Sequence, residues 1–257
     1  MQSRPPLISL ACETDAGLGQ QARLGLIVLQ TDQTLEHEFR FLLDVPDVAC
    51  YHSRIANAME VTPQTLAQME VDLPRAAALL PKQFAFDAIA YGCTSGTTVI
   101  GEHKVEAAVQ QAHPQVPVTN PLTACKAAFK ALGMQRIAFL TPYRPDVTEL
   151  MRQKLQDSGF DVVCTGSFQQ SDDFVVGRIS PDSLLKAMQQ LVSETDCCGV
   201  FVSCTSLRVA EILPQAEQLL GMPVTSSNHA MAWHLLRLAN YSHPLPDRGQ
   251  LFTLPLI

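Results

Sequence analysis

Short apolar runs alternate with longer amphipathic stretches along most of this chain. The apolar runs have the length and composition of buried parallel strands and lie near residues 24–29, 88–92, 137–140, 162–165 and 199–202. Stretches with helical spacing lie between them, at residues 63–80, 147–157 and 181–195. This alternation predicts an α/β fold built from mainly parallel sheets flanked by helices. Residues 44–54 show neither pattern clearly.

Three segments of the first half recur in the same order in the second half. Residues 23–28 (RLGLIV) return as 136–141 (RIAFLT), 92–95 (GCTS) as 203–206 (SCTS), and 116–119 (VPVT) as 221–225 (GMPVT). Ordered repetition of this kind predicts a duplicated unit. We therefore expect two pseudo-symmetric lobes, residues 1–120 and 121–257, with the C-terminal helix free to cross over and an active site in the cleft between them.

The repeated Cys-Thr-Ser motif places one thiol, Cys93 or Cys204, at the carboxyl end of a predicted strand in each half. Sites in open α/β sheets form at such strand ends. Helical patterns follow at 96–112 and 207–220, so each sulfur is predicted to lie near a helix N-terminus, which favours thiolate. The remaining cysteines are interpreted as inert small apolar residues: Cys12, Cys50, Cys125, Cys164, Cys197 and Cys198.

Composition narrows the class of protein. The chain has 257 residues, is 47% hydrophobic and carries a net charge of −7 without a basic run, so nucleic acid is not an expected partner. No apolar run reaches the roughly 20 residues of a membrane span, and Met1 to Pro6 lacks the apolar core of a signal peptide. Eight dispersed cysteines then indicate reduced thiols and a cytoplasmic protein.

Neither a metal nor a nucleotide cofactor is predicted. The sequence lacks Cys-x-x-Cys, His-x-His and His-Glu-x-x-His spacings. Gly17 to Ala22 resembles a dinucleotide fingerprint but precedes the first strand instead of joining a strand to a helix, which predicts an N-terminal loop.

Two opposed thiols without a cofactor suit two kinds of reaction. Racemisation removes a proton from one face of a carbon and returns one to the other face. Isomerisation of an electron-poor alkene uses one thiolate that adds and later leaves, while the other thiol supplies and retrieves a proton. Backbone N–H groups after each cysteine, and the hydroxyls of Thr94, Ser95, Thr205 and Ser206, are candidate donors to the anion that forms.

Together these segments resemble the aspartate/glutamate racemase superfamily, in the branch of maleate cis-trans isomerases and arylmalonate decarboxylases. The resemblance covers nearly the whole chain and depends on the paired Cys-Thr-Ser motifs and on residues 23–28, 140–143 (LTPY), 176–179 (VGRI) and 223–228 (PVTSSN). It implies two pseudo-symmetric α/β lobes, a site at their interface, no cofactor, a small carboxylate substrate and a homo-oligomer.

The resemblance also implies roles for individual residues. Cys93 matches the isomerase residue that attacks the alkene, Cys204 matches the second catalytic thiol, and Tyr143 matches the tyrosine that holds a substrate carboxylate. Arylmalonate decarboxylase has glycine at the position of Cys93, so this cysteine favours isomerase or racemase chemistry over decarboxylation.

Two departures from the family pattern concern the substrate. Where maleate isomerases tend to have asparagines that hold the substrate carboxylates, this chain has Asp32 and, in a less secure alignment, Asp173. Facing carboxylates repel one another unless one is protonated. We therefore expect a substrate that carries nitrogen as well as a carboxylate. The Thr-Asp-Gln-Thr variant at 31–34 is similar to that of members linked to ectoine utilisation, which makes an ectoine-derived compound one candidate.

Structural interpretations compete with these assignments. Asp32 is equally suited to capping the helix that begins near Thr34, and Asp172 or Asp173 to a solvated turn. Arg54 is more typical of a structural ion pair than of a substrate contact. Maleate isomerisation itself, arylmalonate-type decarboxylation and a non-catalytic small-molecule sensor remain the alternative functions.

Overall fold

A computed structural model describes residues 7–58, 63–193 and 195–257 of the chain. The expectation drawn from Met1 to Pro6 falls outside these residues. Within them, eight strands form two four-stranded parallel sheets, with orders β2-β1-β3-β4 and β6-β5-β7-β8. The α/β fold and the mainly parallel sheets predicted from the sequence are confirmed.

The first sheet and its helices are built from the first half of the chain. Its strands are β1 (Ala22–Leu29), β2 (Val48–Ile55), β3 (Ala88–Gly92) and β4 (Val118–Thr119). The helices of this half are α1 (Leu35–Leu42), α2 (Pro63–Ala77), α3 (Thr94–Ile100) and α4 (Glu102–Gln110).

The second half repeats the arrangement. Its strands are β5 (Arg136–Thr141), β6 (Asp161–Ser167), β7 (Gly199–Val202) and β8 (Val224–Ser226). Its α-helices are α5 (Pro121–Leu132), α6 (Pro145–Asp157), α7 (Asp173–Val176), α8 (Pro181–Ser193), α9 (Leu213–Leu220) and α10 (Ser227–Leu238), and short 3-10 helices occupy Ala210–Ile212, Pro246–Arg248 and Gln250–Thr253.

The duplicated segments occupy equivalent strands of the two sheets. Residues 23–28 and 136–141 form the second strand in each sheet order, β1 and β5, and the Cys-Thr-Ser motifs follow the third, β3 and β7. In both sheets the chain leaves the second strand for one edge and returns on its other side. Ligand sites in parallel sheets form at the carboxyl ends of strands where the order reverses in this way.

One continuous apolar core joins the two sheets. It contains alternate residues of β1, such as Leu24 and Leu26, together with Phe139 of β5 and Phe201 of β7. A second cluster lies on the other face of the first sheet, against α2 and α4. Since α10 is buried along nearly its whole length and packs on α5, α1 and β3, this C-terminal helix contacts both sheets. The proposed lobe boundary at residue 120 stays a prediction.

Three local predictions need correction. The unassigned stretch 44–54 contains most of edge strand β2. The single helix expected over 96–112 is two helices, broken at Gly101, whose φ of +96° favours glycine. The helix expected from Leu207 begins only at Leu213, where Pro214 occupies the first turn that proline tolerates.

Gly92, which immediately precedes Cys93, is required by close packing. A Cβ at this position would lie 2.3 Å from Leu35 Cδ2 and 3.2 Å from the Ile27 carbonyl oxygen. Leu35 is fully buried at the start of α1 and has little freedom to move away. The site end of β3 and the beginning of α1 are therefore packed too tightly for any side chain at residue 92.

We expect Gly92→Ala to lower the free energy of unfolding by about 1–3 kcal/mol, because it overpacks a rigid part of the core. Urea unfolding followed by circular dichroism measures the effect. Gly177→Ala is the matched control, because its Cβ would meet nothing closer than 3.5 Å and its φ is −62°. Equal stabilities of the two variants would contradict this account of Gly92.

Candidate active site

A small cavity lies at the carboxyl ends of the strands, between the two sheets. Its volume is about 20 Å³, enough for roughly one water molecule, so a substrate can enter only when lining groups move. Every site residue predicted from the sequence except Asp32 lines this cavity. The lining residues are Leu29, Asn57, Ala58, Thr65, Met69, Cys93, Thr94, Ser95, Tyr143, Asp173, Cys204, Thr205 and Ser206.

Cys93 occupies the N-cap position of α3, as the sequence predicted. Its backbone is extended, and its Sγ accepts a hydrogen bond from the Gly96 N–H at 3.2 Å. The Ser95 hydroxyl lies 3.8 Å from the same sulfur. Burial raises the pKa of the Cys93 thiol to about 11, although these two groups favour the thiolate.

Cys204 is held differently from Cys93. Its φ is +138°, a strained value for a residue with a side chain, and no helix starts directly after it. The predicted helix N-terminus at this thiol is therefore wrong. Its Sγ accepts from the Ser206 N–H at 3.4 Å, and the Tyr143 hydroxyl also favours its thiolate form. Burial, followed by the charge of Asp173, raises the pKa of Cys204 to about 12.

Both thiols are therefore neutral in the ligand-free protein near pH 7. The partial charge of a helix N-terminus lowers a cysteine pKa in solvated sites, and at Cys93 this geometry is present. Complete burial outweighs it. A thiolate in this cavity thus needs additional stabilisation of its negative charge, which the resting site does not supply.

One hydroxyl connects the loops that carry the two cysteines. Ser227, the buried first residue of α10, accepts a hydrogen bond from the Thr94 hydroxyl at 3.0 Å and another from the Cys204 N–H at 3.0 Å. Thr94 directly follows Cys93. The relative position of the two cysteine loops is therefore set in part by a single side chain.

Asp32 has the capping role considered from the sequence, while its contact with a substrate stays a prediction. Its Oδ1 caps α1 by accepting from the Thr34 and Leu35 N–H groups, each at 2.8 Å. Its Oδ2 is buried and makes no hydrogen bond within the described residues, although the Thr205 hydroxyl is near enough to favour its charged form. Burial raises the pKa of this carboxyl above its ordinary value. Asp32 lies behind the cavity wall, close enough for its charge to raise the pKa of Cys204.

Asp173 lines the cavity and is held by residues that follow β1 and β2. The Thr31 hydroxyl donates to Asp173 Oδ2 at 2.7 Å, and Asn57 Nδ2 donates to Thr31 Oγ1 at 2.9 Å. Burial raises the pKa of Asp173, and the charge of Asp32 adds to this against the Thr31 hydrogen bond. The neighbouring Asp172 is the exposed residue that caps the turn, through the Phe174 N–H.

Asn57 lines the cavity but was missed in the sequence. Its Oδ1 accepts from the Thr31 N–H at 3.2 Å while its Nδ2 donates to the Thr31 hydroxyl, so it fixes the residue that holds Asp173. The signal was its position two residues beyond β2, at the carboxyl end of a strand. Because residues 44–54 show no clear strand pattern, the sequence alone does not place Asn57 at a strand end.

The charged groups of the cavity are acidic. None of the lining residues that the structure describes is Lys, Arg or His. Arg54 forms an ion pair with Glu36 and donates to the backbone oxygens of Leu29, Gln30 and Asp32, which confirms its structural interpretation. A substrate carboxylate must therefore be bound by hydroxyl and backbone N–H donors.

The remaining predicted donors are distributed between the two cysteines. Thr205 Oγ1 donates to the Gly92 carbonyl oxygen at 3.5 Å, while Thr94 Oγ1 is engaged with Ser227. Ser95 and Ser206 each contact the neighbouring sulfur, one through its hydroxyl and the other through its N–H. These contacts leave the hydroxyls beside each thiol facing the same small cavity.

In the ligand-free protein we expect the alkylation rates of Cys93 and Cys204 by iodoacetamide to keep rising through pH 10, because both pKa values lie above this range. Peptide-resolved mass spectrometry measures the two rates separately. In the urea-unfolded chain the same cysteines should level off above their ordinary pKa of about 8.5. A plateau below pH 8 in the folded protein would contradict the assignment of neutral resting thiols.

Within the described ranges, no helix is long and apolar enough to cross a membrane. The same part of the chain contains no cluster of three or more His, Cys, Asp or Glu side chains suited to a metal ion.

Comparison with known proteins agrees with this geometry. A maleate isomerase from Geobacillus stearothermophilus is 25% identical over 250 residues, covering 92% of this chain and 99% of that protein. Another from Nocardia farcinica is 29% identical over 239 residues, covering 89% and 94%. The structure of a Nocardia farcinica maleate cis-trans isomerase variant with a covalently bound succinylcysteine intermediate superposes with a TM-score of 0.83, at 26% identity and 90% and 98% coverage.

The family model for arylmalonate decarboxylase matches residues 55–252, which include both cysteines, Tyr143, strands β3 and β4 of the first sheet and the whole second sheet. Together with the pseudo-symmetric fold and the paired thiols, this match confirms the resemblance inferred from the sequence. The chain belongs to the arylmalonate decarboxylase family, and maleate isomerases are among its relatives.

Proposed function

We propose that this protein is a cofactor-independent isomerase or racemase that uses Cys93 and Cys204 on a small carboxylate. The observation that carries the proposal is the placement of both thiols in one cavity, at equivalent strand ends of a duplicated fold. This chain matches maleate isomerases over almost their full length, which supports the isomerase class.

The two thiols have complementary tasks in either reaction. In alkene isomerisation, the Cys93 thiolate forms a C–S bond with one alkene carbon, and the π electrons move to the other carbon, which takes a proton from Cys204. Rotation about the resulting single bond follows, then Cys204 removes the proton and the C–S electrons return to sulfur. In racemisation, one thiolate takes the α-proton and the opposite thiol supplies another.

The anion formed in either reaction needs hydrogen-bond donors close to a carboxylate. Hydroxyls of Ser95, Ser206 and Tyr143 lie around the cavity, together with the backbone N–H groups of the segments that follow the cysteines. Such fixed donors stabilise developing negative charge well in a site with little water. We assign Tyr143 to the substrate carboxylate, in agreement with its family counterpart.

We propose further that the substrate carries a nitrogen group that faces Asp173, and that the charge of Asp32, behind the cavity wall, adds to the attraction. A dicarboxylate would bring two more negative charges to this side of the cavity, where the described lining includes no cation to offset them. A protonated amine or amidine would instead be attracted. It would also offset the carboxylate charges that raise the pKa of both thiols, so that substrate binding promotes thiolate formation.

An ectoine-derived amino acid has the required combination of a carboxylate and a nitrogen cation, and it is our first substrate candidate. Maleate is the second, because relatives carry that name. Arylmalonate-type decarboxylation is disfavoured by the presence of Cys93. A sensor without catalysis would not require two cysteines at equivalent positions. A homo-oligomer located in the cytoplasm completes the proposal.

Proton NMR in D2O tests the reaction class with maleate, D- and L-aspartate and ectoine-derived amino acids as substrates. We expect deuterium at an α-carbon or a cis-trans change, reduced at least about 1,000-fold in both Cys93→Ala and Cys204→Ala because each removes a reacting group. Cys125→Ala, at a fully buried cysteine of α5, is the matched control and should retain activity. Full activity in either active-site variant would overturn the two-thiol mechanism.

Asp32→Asn tests the preference for nitrogen without removing the helix cap, because the asparagine oxygen can still accept from Thr34 and Leu35. We expect the KM for maleate to fall about tenfold and that for a cationic substrate to rise by a similar factor, as one negative charge is lost. Steady-state kinetics with both substrates measures the change. Asp172→Asn, at the exposed turn, serves as the control. Micromolar affinity of the unmodified protein for maleate would contradict the nitrogen requirement.

A further inference from the structure

Glu38 is a buried carboxylate outside the cavity that the two-thiol reaction does not use. It lies on α1 and is 2% exposed. Burial raises its pKa to about 7, while the backbone N–H of Ala210, the side chain of Asn228 and the backbone N–H of Val209 stabilise its charge. A carboxylate is expensive to bury, so its contacts call for an explanation.

All three hydrogen-bond donors to Glu38 belong to the second half of the chain. Glu38 Oε1 accepts from the Val209 N–H at 2.5 Å and from the Ala210 N–H at 2.7 Å, and Oε2 accepts from Asn228 Nδ2 at 2.8 Å. The same Asn228 nitrogen donates to the Thr205 carbonyl oxygen at 2.8 Å. Glu38 thus contacts the far end of the segment that follows Cys204 directly, at Val209 and Ala210, and its near end, at Thr205, through Asn228.

Another residue of the same region adds to this hold. The Thr34 hydroxyl, at the start of α1, donates to the Ser206 carbonyl oxygen at 2.8 Å. Residues 204–210 form no regular helix until Ala210, and Cys204 itself has the strained φ of +138°. A strained conformation persists only where its surroundings over-determine it. The contacts from α1 are of this kind.

We propose that Glu38 is a positioning residue, which acts with Thr34 and Asn228 to hold residues 204–210 so that Cys204 faces Cys93 across the cavity. Its carboxylate is suited to this task because both oxygens accept, and the groups that face them, two backbone N–H groups and Asn228 Nδ2, donate. An amide at residue 38 would turn a donor toward Asn228 and break the connection to Thr205. The inference rests on the proposed two-thiol function only in its kinetic consequence.

The direct test is the reactivity of each thiol in the ligand-free Glu38→Gln variant. We expect Cys204 to be alkylated by iodoacetamide at least about tenfold faster, because its loop opens more readily, and Cys93 to change less than about twofold. Peptide-resolved mass spectrometry separates the two rates. Glu211→Gln is the matched control, since it removes an exposed contact between the same two regions, His37 to Glu211. Its rates should match those of the unmodified protein.

Thr34→Val provides a second route if Glu38→Gln fails to fold. It removes the hydrogen bond to Ser206 with little change of shape, and we expect the same selective acceleration at Cys204. Unchanged alkylation of both cysteines in a folded variant would overturn the proposal, as would equal acceleration of both, which would indicate general loosening.

Kinetics of the folded Glu38→Gln variant then separate this inference from the proposed function. With a substrate found by NMR, we expect kcat to fall at least about tenfold while KM changes less than about threefold, since positioning acts on the reacting geometry. Selective alkylation without turnover of any substrate by the unmodified protein would support the positioning role and count against the enzyme assignment. Turnover that needs both cysteines but is unchanged in Glu38→Gln would support the enzyme assignment and count against the positioning role.

Discussion

Removal from water acts on every ionisable group around the cavity, and the chemistry of this site depends on it. The same burial that favours neutral thiols at Cys93 and Cys204 raises the pKa of Asp32 and of Asp173. Together these shifts produce a resting site in which both sulfurs hold their protons and both carboxyls bind a proton more readily than in water.

A ligand that carries positive charge changes this balance at several positions at once. Since Asp173 raises the pKa of both cysteines, a cation beside it weakens the repulsion that opposes thiolate formation. With the nitrogen-bearing substrate proposed above, the acidic residues would serve substrate selection and activation together. Such a dual role would let a fold that maleate isomerases use for a dicarboxylate accept another charge pattern after few substitutions.

Much of the fold was predictable, because the duplication and the alternation of strands and helices can be recognised from short segments of the sequence. The matched segments identified equivalent strands, and the apolar runs of β1, β3, β5 and β7 were long enough to recognise. Edge strand β2 was missed because only one face of an edge strand is well buried, which leaves a weaker apolar signal. The predicted helix after Cys204 failed because its apolar spacing is satisfied by packing of an irregular segment.

The site could be predicted only where a motif or a resemblance marked it. Cys93, Cys204 and Tyr143 stand at strand ends next to recognisable motifs, and the structure brings them to one cavity. Asn57, Ser227 and Glu38 act through contacts with residues between 23 and 190 positions distant, and no local pattern encodes such pairings. The raised pKa values of the two thiols could not be predicted either, because the burial that raises them depends on how both sheets close around the sulfurs.

The shared hydroxyl of Ser227 has a consequence for how the two halves of the molecule communicate. Because one oxygen accepts from both the Thr94 hydroxyl and the Cys204 N–H, a shift of either cysteine loop acts on a side chain that the other loop also contacts. The position of Ser227 therefore links the positions of the two thiols. The two cysteine loops, one from each half of the duplicated fold, are thus connected through the first residue of α10.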